Sequence, residues 1–212
     1  MPPTIGILGA GRVGTALARQ ALKAGYRVRI ATAKPAAENA LLVNIVTPGA
    51  EAVEAHEAAA SDLVVLAIPL HRYRTLNPDD LAGRVVIDAM NYWAPVDGVH
   101  DDFEAHARTS SEVVARFLSG SRIVKSLNHI GYHELEEDDR PAGHPQRRAL
   151  AVAGDDPAAS ELVRGFIDRL GYDAVDAGPL SAGRAFQPAT AIFTGSYAAA
   201  ELRALVQHPL AA

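Results

Sequence analysis

The chain has 212 residues, 49% of them hydrophobic, which is enough for one large or two small domains with a buried core. Its formal net charge of -5 gives no general pull toward nucleic acid or an anionic membrane, and no basic stripe is visible along it. There is no cysteine, which excludes disulfides, thiolate-bound metals, iron–sulfur clusters and thiol nucleophiles.

The first predicted element is Thr4 to Gly9, a short apolar run ending in glycine, as a buried parallel strand does. Val13, Ala16, Leu17, Ala21 and Ala24 then recur at helical spacing until Gly25. Tyr26 to Thr32 reads as a strand, and Ala36 to Val46 as a helix stopped by Thr47-Pro48-Gly49. A short strand and a short helix fit between Glu51 and Ala60. Leu63 to Ile68 is a central strand closed by Pro69, and Arg84 to Ala89 is another. A helix over Ser110 to Leu118 and a strand over Arg122 to Leu127 follow. The strand–helix alternation predicts a parallel sheet with helices on both faces. Residues 134–148 carry five acids, then Arg147 and Arg148, among Pro141, Gly143 and Pro145, and read as a solvated excursion. Beyond it come a strand (Ala149 to Ala153), a helix (Ala158 to Leu170) and a strand (Asp173 to Ala177). The end, Pro188 to Val206, reads as one long helix, apolar on several faces and therefore buried or a subunit contact, so a homodimer is expected. No run of about 18 apolar residues and no basic leader is seen, which gives the expectation of a soluble, cytoplasmic protein with no membrane partner.

Gly9-Ala10-Gly11-Arg12-Val13-Gly14 fits G-x-G-x-x-G in the context that gives it meaning, after a strand and at the start of a helix. The first glycine permits the turn, the second lets backbone approach a pyrophosphate, and the third lets helix and strand pack closely. The helix N-terminus adds free N–H groups and partial positive charge. A plain strand–helix turn that needs glycine for its backbone is the competing reading. An NAD site carries Asp or Glu at the end of the second strand, but this chain has Ile30-Ala31-Thr32-Ala33-Lys34-Pro35 there. Without that carboxylate nothing repels a 2′-phosphate, Thr32 can donate a hydrogen bond and Lys34 brings charge. Arg12 could reach the same phosphate or the pyrophosphate. NADP(H) is therefore the expected cofactor.

With these motifs the chain resembles the NADP oxidoreductases that act on the deazaflavin coenzyme F420, whose fold is shared by the cytoplasmic domain of the STEAP metalloreductases. The resemblance extends over nearly the whole chain. It rests on the glycine loop, on Ala31 to Lys34, on Leu66-Ala67-Ile68-Pro69-Leu70, on Asp88-Ala89-Met90-Asn91, and most specifically on Asp176-Ala177-Gly178-Pro179-Leu180-Ser181-Ala182-Gly183-Arg184. It implies a doubly wound, mainly parallel α/β Rossmann sheet with a small C-terminal α/β extension. The NADP-binding domain would span 1–128, and a region for substrate or oligomerisation 129–212. It also implies that Ile68 and Pro69 flank the adenosine end, and that Asn128, His129, Ile130 and Gly131 face the second ring. Two departures stand out. Ala33 replaces a frequent arginine, which removes a bidentate phosphate partner. Tyr92 and Trp93 follow Asn91, where proline is common.

Hydride transfer to a deazaflavin is chemistry of the two cofactors, and the protein supplies position and exclusion of water. No catalytic side chain and no metal is required, and none is assigned. Asn91 either bonds near the nicotinamide or closes a turn. Ile130 is either an apolar wall or a core contact. His129 or Tyr132 could relay a proton. Arg184 either meets an acidic tail or caps backbone. Three functions compete: hydride exchange between NADP(H) and F420, reduction of another acceptor such as a flavin, an imine or a metal chelate (favoured by Tyr92 and Trp93), and non-catalytic sensing of NADP(H).

Overall fold

A computed structural model describes residues 2–104 and 108–208. The strands are β1 (Thr4–Leu8), β2 (Arg27–Ala31), β3 (Glu51–Ala52), β4 (Leu63–Leu66), β5 (Val85–Asp88), β6 (Arg122–Lys125), β7 (Ala149–Gly154) and β8 (Asp173–Gly178). They form one sheet in the order β3-β2-β1-β4-β5-β6-β7-β8. The first six are parallel, β7 runs antiparallel to β6, and β8 is parallel to β7. This is the doubly wound α/β sheet expected, with the last two strands added to the same sheet.

Every residue of β1, β4 and β5 is buried, because helices cover both faces and water reaches neither. Alternation divides their side chains between two cores. Val65, Ile87 and Val124 join Leu17 and Ala21 of α1 (Arg12–Lys23) and Phe166 of α9 (Pro157–Arg169). Val64, Leu66 and Val86 join Ala58 of α3 (Ala55–Ala59) and Val114 of α7 (Ser110–Phe117) on the other face. Caps fix where the helices begin. Asp156 accepts from the Ala159 N–H at 2.8 Å ahead of Pro157 at the start of α9. Thr109 and Glu112 exchange backbone and side-chain bonds at the start of α7.

The chain returns from β1 to one side, through α1 to β2, and reaches β4 on the other. The point where strand order reverses therefore lies at the carboxyl ends of β1 and β4, where such sheets bind ligands. The registers Leu8↔Leu66, Leu66↔Asp88 and Asp88↔Lys125 set those carboxyl ends level.

Two expectations are corrected. The long C-terminal helix does not form. After a 3₁₀ segment (Leu180–Phe186), two short helices, α10 (Ala191–Thr194) and α11 (Ala199–Gln207), occupy that stretch. The break is tertiary: the Tyr197 carbonyl accepts from the Ala149 N–H at 2.8 Å and the Gly195 carbonyl from Arg148 at 3.1 Å, so residues 195–197 serve the start of β7. The apolar face of α11 packs on β7 and β8 through Leu202, Leu205 and Val206.

The stretch 134–148 is a solvated excursion only in part: Pro141, Ala142, Gly143, Pro145 and Gln146 are exposed, but its two ends are packed. It opens with α8 (Glu134–Glu137), whose Leu135 is buried. Glu136 pairs with Arg19 and Asp139 with Lys23, both on α1. Arg147 is buried between Asp168 at 2.8 Å and Asp173 at 3.0 Å. Glu136, Asp139 and Arg147 thus tie the stretch to α1, α9 and β8, which a charge count along the chain does not reveal.

Candidate functional site at the strand carboxyl edge

The glycine loop joins β1 to α1. Gly9 has φ +120°, and a Cβ there would lie 2.4 Å from the Ala67 carbonyl oxygen. A Cβ on Gly14 would lie 1.9 Å from the Gly9 carbonyl oxygen. Gly11 differs, because no atom lies within 4 Å of where its Cβ would be. That opening faces the start of α1, which has no side-chain cap and no acid in its first turn. The first N–H groups of a helix lack intrahelical partners, so an anion is the partner this end would accept. The cradle therefore fits a dinucleotide pyrophosphate.

On one side of the loop lies a cleft of about 630 Å³, within the usual range for small-molecule sites. Gly9, Ala10 and Gly11 line it together with Thr32, Ala33, Lys34, Ile68 and Pro69, so it gathers the residues expected to hold the adenosine half. The Thr32 hydroxyl oxygen accepts from Asn39 at 2.7 Å and from the Lys34 N–H at 3.0 Å. With both lone pairs engaged, its own proton goes to the Lys34 carbonyl at 3.4 Å, a long bond that a phosphate oxygen would readily replace. Four charges line the cleft: Lys34 and Arg72 against Glu54 and Asp80. Glu54 accepts from the Ala36 N–H at 2.7 Å, at the start of α2 (Ala36–Val46). Among the described residues neither Lys34 nor Arg72 has a carboxylate at ion-pair distance. Arg72 and Glu54 were missed from sequence because neither belongs to a motif. Arg12 leaves this cleft. Its guanidinium lies over the Tyr132 ring, 5.6 Å from the centroid.

On the other side lies a cavity of about 330 Å³ lined by Val13, Asn91, Asn128, His129, Ile130 and Gly131, with Tyr132 and Phe193. The expected second-ring residues thus come together with Asn91. Leu127 takes φ +62°, a left-handed conformation that costs about 1–3 kcal/mol in a non-glycine residue and here turns the chain inward after β6. Asn91 and Asn128 clasp each other: Asn91 donates to the Asn128 carbonyl at 2.7 Å and accepts from the Asn128 amide at 3.0 Å. Asn128 also donates to the Phe186 carbonyl at 2.8 Å. The clasp leaves Asn91 one N–H and one lone pair for a ligand. Ile130 is at once a core contact and part of the cavity wall.

His129 is not a relay. Its Nε2 accepts from the Ala151 N–H at 3.0 Å, which places the ring proton on Nδ1, facing Asn128 Oδ1 at 3.2 Å. Burial, with Arg148 and Lys125 nearby, lowers its pKa to about 3, so it is neutral at physiological pH.

Buried groups behind the cavity explain the two later motifs. Asp88 accepts from the Met90 N–H at 2.9 Å and the Ser111 hydroxyl at 2.6 Å, which fixes the turn carrying Asn91. Lys125, fully enclosed, stands 3.5 Å from Asp88 and donates to the Met90 carbonyl. Burial lowers the Lys125 pKa, and Asp88 offsets part of that. In the Asp176–Arg184 motif, Gly178 donates to Asp176 at 2.8 Å and Gly183 lies against the Lys125 stem. The motif ends near Phe186, whose ring packs on His129 at 4.9 Å. It supports the 128–131 loop from behind. Arg184 itself is exposed, with no side-chain partner among the described residues. At the front, Trp93 is 45% exposed and its ring meets Phe193 at 6.5 Å and 30°.

Residues 4–92 match the family described as NADP oxidoreductase, coenzyme F420-dependent, so the family resemblance read from the sequence holds over that segment. No curated protein matches the chain. Among solved structures, a hypothetical protein from Sinorhizobium meliloti is 26% identical with a TM-score of 0.77, the match covering 93% of this chain and 95% of that one. A protein from Arthrobacter sp. that carries the provisional name F420-dependent NADP reductase is 23% identical with a TM-score of 0.73, covering 87% and 88%. An imine reductase from Pseudomonas sp. is 19% identical with a TM-score of 0.58, covering 84% of this chain but 56% of its own. At such identities the last two speak for the fold alone.

Proposed function

We propose that this chain is an NADP(H)-dependent oxidoreductase whose hydride partner is a deazaflavin of the coenzyme F420 type. One observation carries the reading. The glycine loop stands between a cleft with the charges for a phosphorylated adenosine and a second, largely apolar cavity walled by Asn91, Asn128 and Ile130. A dinucleotide laid across the loop would place its two halves in these two spaces. The matched family description names the same cofactor pair.

The nicotinamide, when bound, supplies or accepts the hydride. The chain's own residues position and enclose. Gly11 and the start of α1 hold the pyrophosphate. The Asn91–Asn128 clasp, locked through Phe186 and His129, sets the cavity wall rigidly, and such positioning is worth much of a bimolecular barrier. Ile130 and Val13 keep water from the ring face. Phe193 lines the cavity, and Trp93, exposed beside it with its ring tilted by 30°, adds aromatic surface.

A second reading, reduction of a different planar acceptor such as a flavin, is favoured by that same pair, because an aromatic surface selects flatness rather than identity. Anaerobic mixing with NADPH separates the two. Loss of the oxidised deazaflavin absorbance, with flavin mononucleotide unchanged, is the expected result. Turnover of the flavin alone, or of neither, would overturn the deazaflavin assignment.

A further inference from the structure

We infer that Arg72 recognises the cofactor's 2′-phosphate, acting from the wall after β4 in place of the arginine that Ala33 lacks on the wall after β2. This inference rests on the NADP(H) reading above. Arg72 and Lys34 line the same cleft from opposite walls, and neither is neutralised by an acid among the described residues.

The turn that carries Arg72 is rigid. Leu70 and Tyr73 flank it and are both buried, and the Arg72 N–H closes the turn onto the Pro69 carbonyl at 2.9 Å. The Tyr73 ring is held edge-on by Phe103 and Phe117 at 5.6 Å and 5.3 Å, and its hydroxyl donates to Asp102 at 2.7 Å. Arg74, two residues on, is committed to Asp102 at 3.0 Å. The segment therefore has two surface arginines with different duties: Arg74 ties down the turn, and Arg72 is left for the cleft.

The other charges decide what Arg72 is for. Glu54 and Asp80 line the same space, so the protein's charges there sum to about zero, and a phosphate dianion gains nothing from net charge alone. Its recognition depends on direct contact. Thr32 offers one donor and Lys34 a point charge, whereas only Arg72 offers the planar fork that matches phosphate oxygens. Glu54 is the lesser opponent, since the Ala36 N–H and the α2 N-terminus already draw on its charge.

The test is calorimetric titration of wild type, Arg72→Ala, Arg72→Lys and Lys34→Ala with NADPH, NADH, 2′,5′-ADP and 5′-AMP. Circular dichroism would verify folding, and the position is exposed. Arg72→Ala is expected to weaken NADPH and 2′,5′-ADP by about 10- to 100-fold, as loss of a charge-assisted contact does. NADH and 5′-AMP should change little, and Arg72→Lys should fall between. Equal weakening of all four ligands would mean that Arg72 stacks on the adenine, and would overturn the inference. An unchanged NADPH affinity in Arg72→Ala, with wild type preferring NADPH, would overturn it alone. Wild type that binds no NADPH would overturn it together with the cofactor reading.

Discussion

Replacing Gly11 and Gly14 by alanine, one at a time, should damage the molecule in two different ways. At Gly14 the added Cβ would sit 1.9 Å from a backbone oxygen of Gly9, which has no flexible end to move. Overpacking costs about 1–3 kcal/mol and a clash this close with backbone takes the upper end, about 3, while the better helix propensity of alanine returns about 1, so a net loss near 2 kcal/mol is expected. In a domain of this size that lowers Tm by about 4–8 °C. At Gly11 the backbone is extended, with φ -76° and ψ -173°, and nothing lies within 4 Å, so only a small capping cost of about 0.5–1 kcal/mol applies. The methyl group would instead fill the space left for the pyrophosphate. Thermal melts with and without NADPH separate these effects. At 100 times Kd the cofactor adds about 2.7 kcal/mol to wild type, or about 5–10 °C. If Gly11→Ala weakens binding about 100-fold, the same concentration adds about 0.4 kcal/mol, and the shift shrinks to about 1 °C. A full NADPH shift in Gly11→Ala, or a Gly14→Ala protein as stable as wild type, would refute the account of the loop.

Other outcomes follow from the groups around it. Lys125→Met strands the Asp88 carboxylate in the core and should cost about 3–5 kcal/mol in urea denaturation, most of it restored in the Asp88→Asn/Lys125→Met double variant. Single and double variants equally unstable would show that the pair is held by packing alone. His129 stays neutral in the folded chain to about pH 3 but takes a proton below about 6.5 when unfolded, so acidification favours the unfolded state. Its contribution between pH 6.5 and 5 is a loss of about 2 kcal/mol, read as a falling urea midpoint that flattens in His129→Gln. An equal slope in both proteins would place the acid sensitivity elsewhere. Trp93→Ala should raise KM for the deazaflavin by about 2- to 10-fold, the worth of one aromatic contact, and leave NADPH affinity unchanged. A change in NADPH affinity instead would move Trp93 to the cofactor side.

The parts of the fold that were legible in the sequence are those set by local pattern. The apolar runs of β1 and β4, the Ala-rich face of α1, and α2 from Ala36 to Val46 follow from periodicity and turn residues. The glycine loop was legible because each glycine answers a different local demand. The C-terminal helix was not, because its break at Gly195–Tyr197 serves hydrogen bonds to Arg148 and Ala149, far away in sequence. The clasp of residues 134–148 onto α1 was hidden for the same reason. At the site, the 128–131 loop came through family resemblance rather than spacing. The role of His129 depended on one backbone N–H from β7, which no motif encodes. Lys125 offered a faint signal, a lysine ending an apolar strand beside Asp88, while Arg72 offered none until the turn after Pro69 faced it into the cleft.

The most direct test of the central claim is a single turnover of the protein with NADPH carrying deuterium at both C4 positions and with oxidised F420, under anaerobic conditions, followed by mass spectrometry of the deazaflavin. Direct hydride transfer between a nicotinamide and a deazaflavin held together at the cavity of Asn91, Asn128 and Ile130 predicts one deuterium in the reduced deazaflavin and a slowed bleaching rate. Reduced deazaflavin without deuterium, or NADPH bound without any reduction, would contradict it.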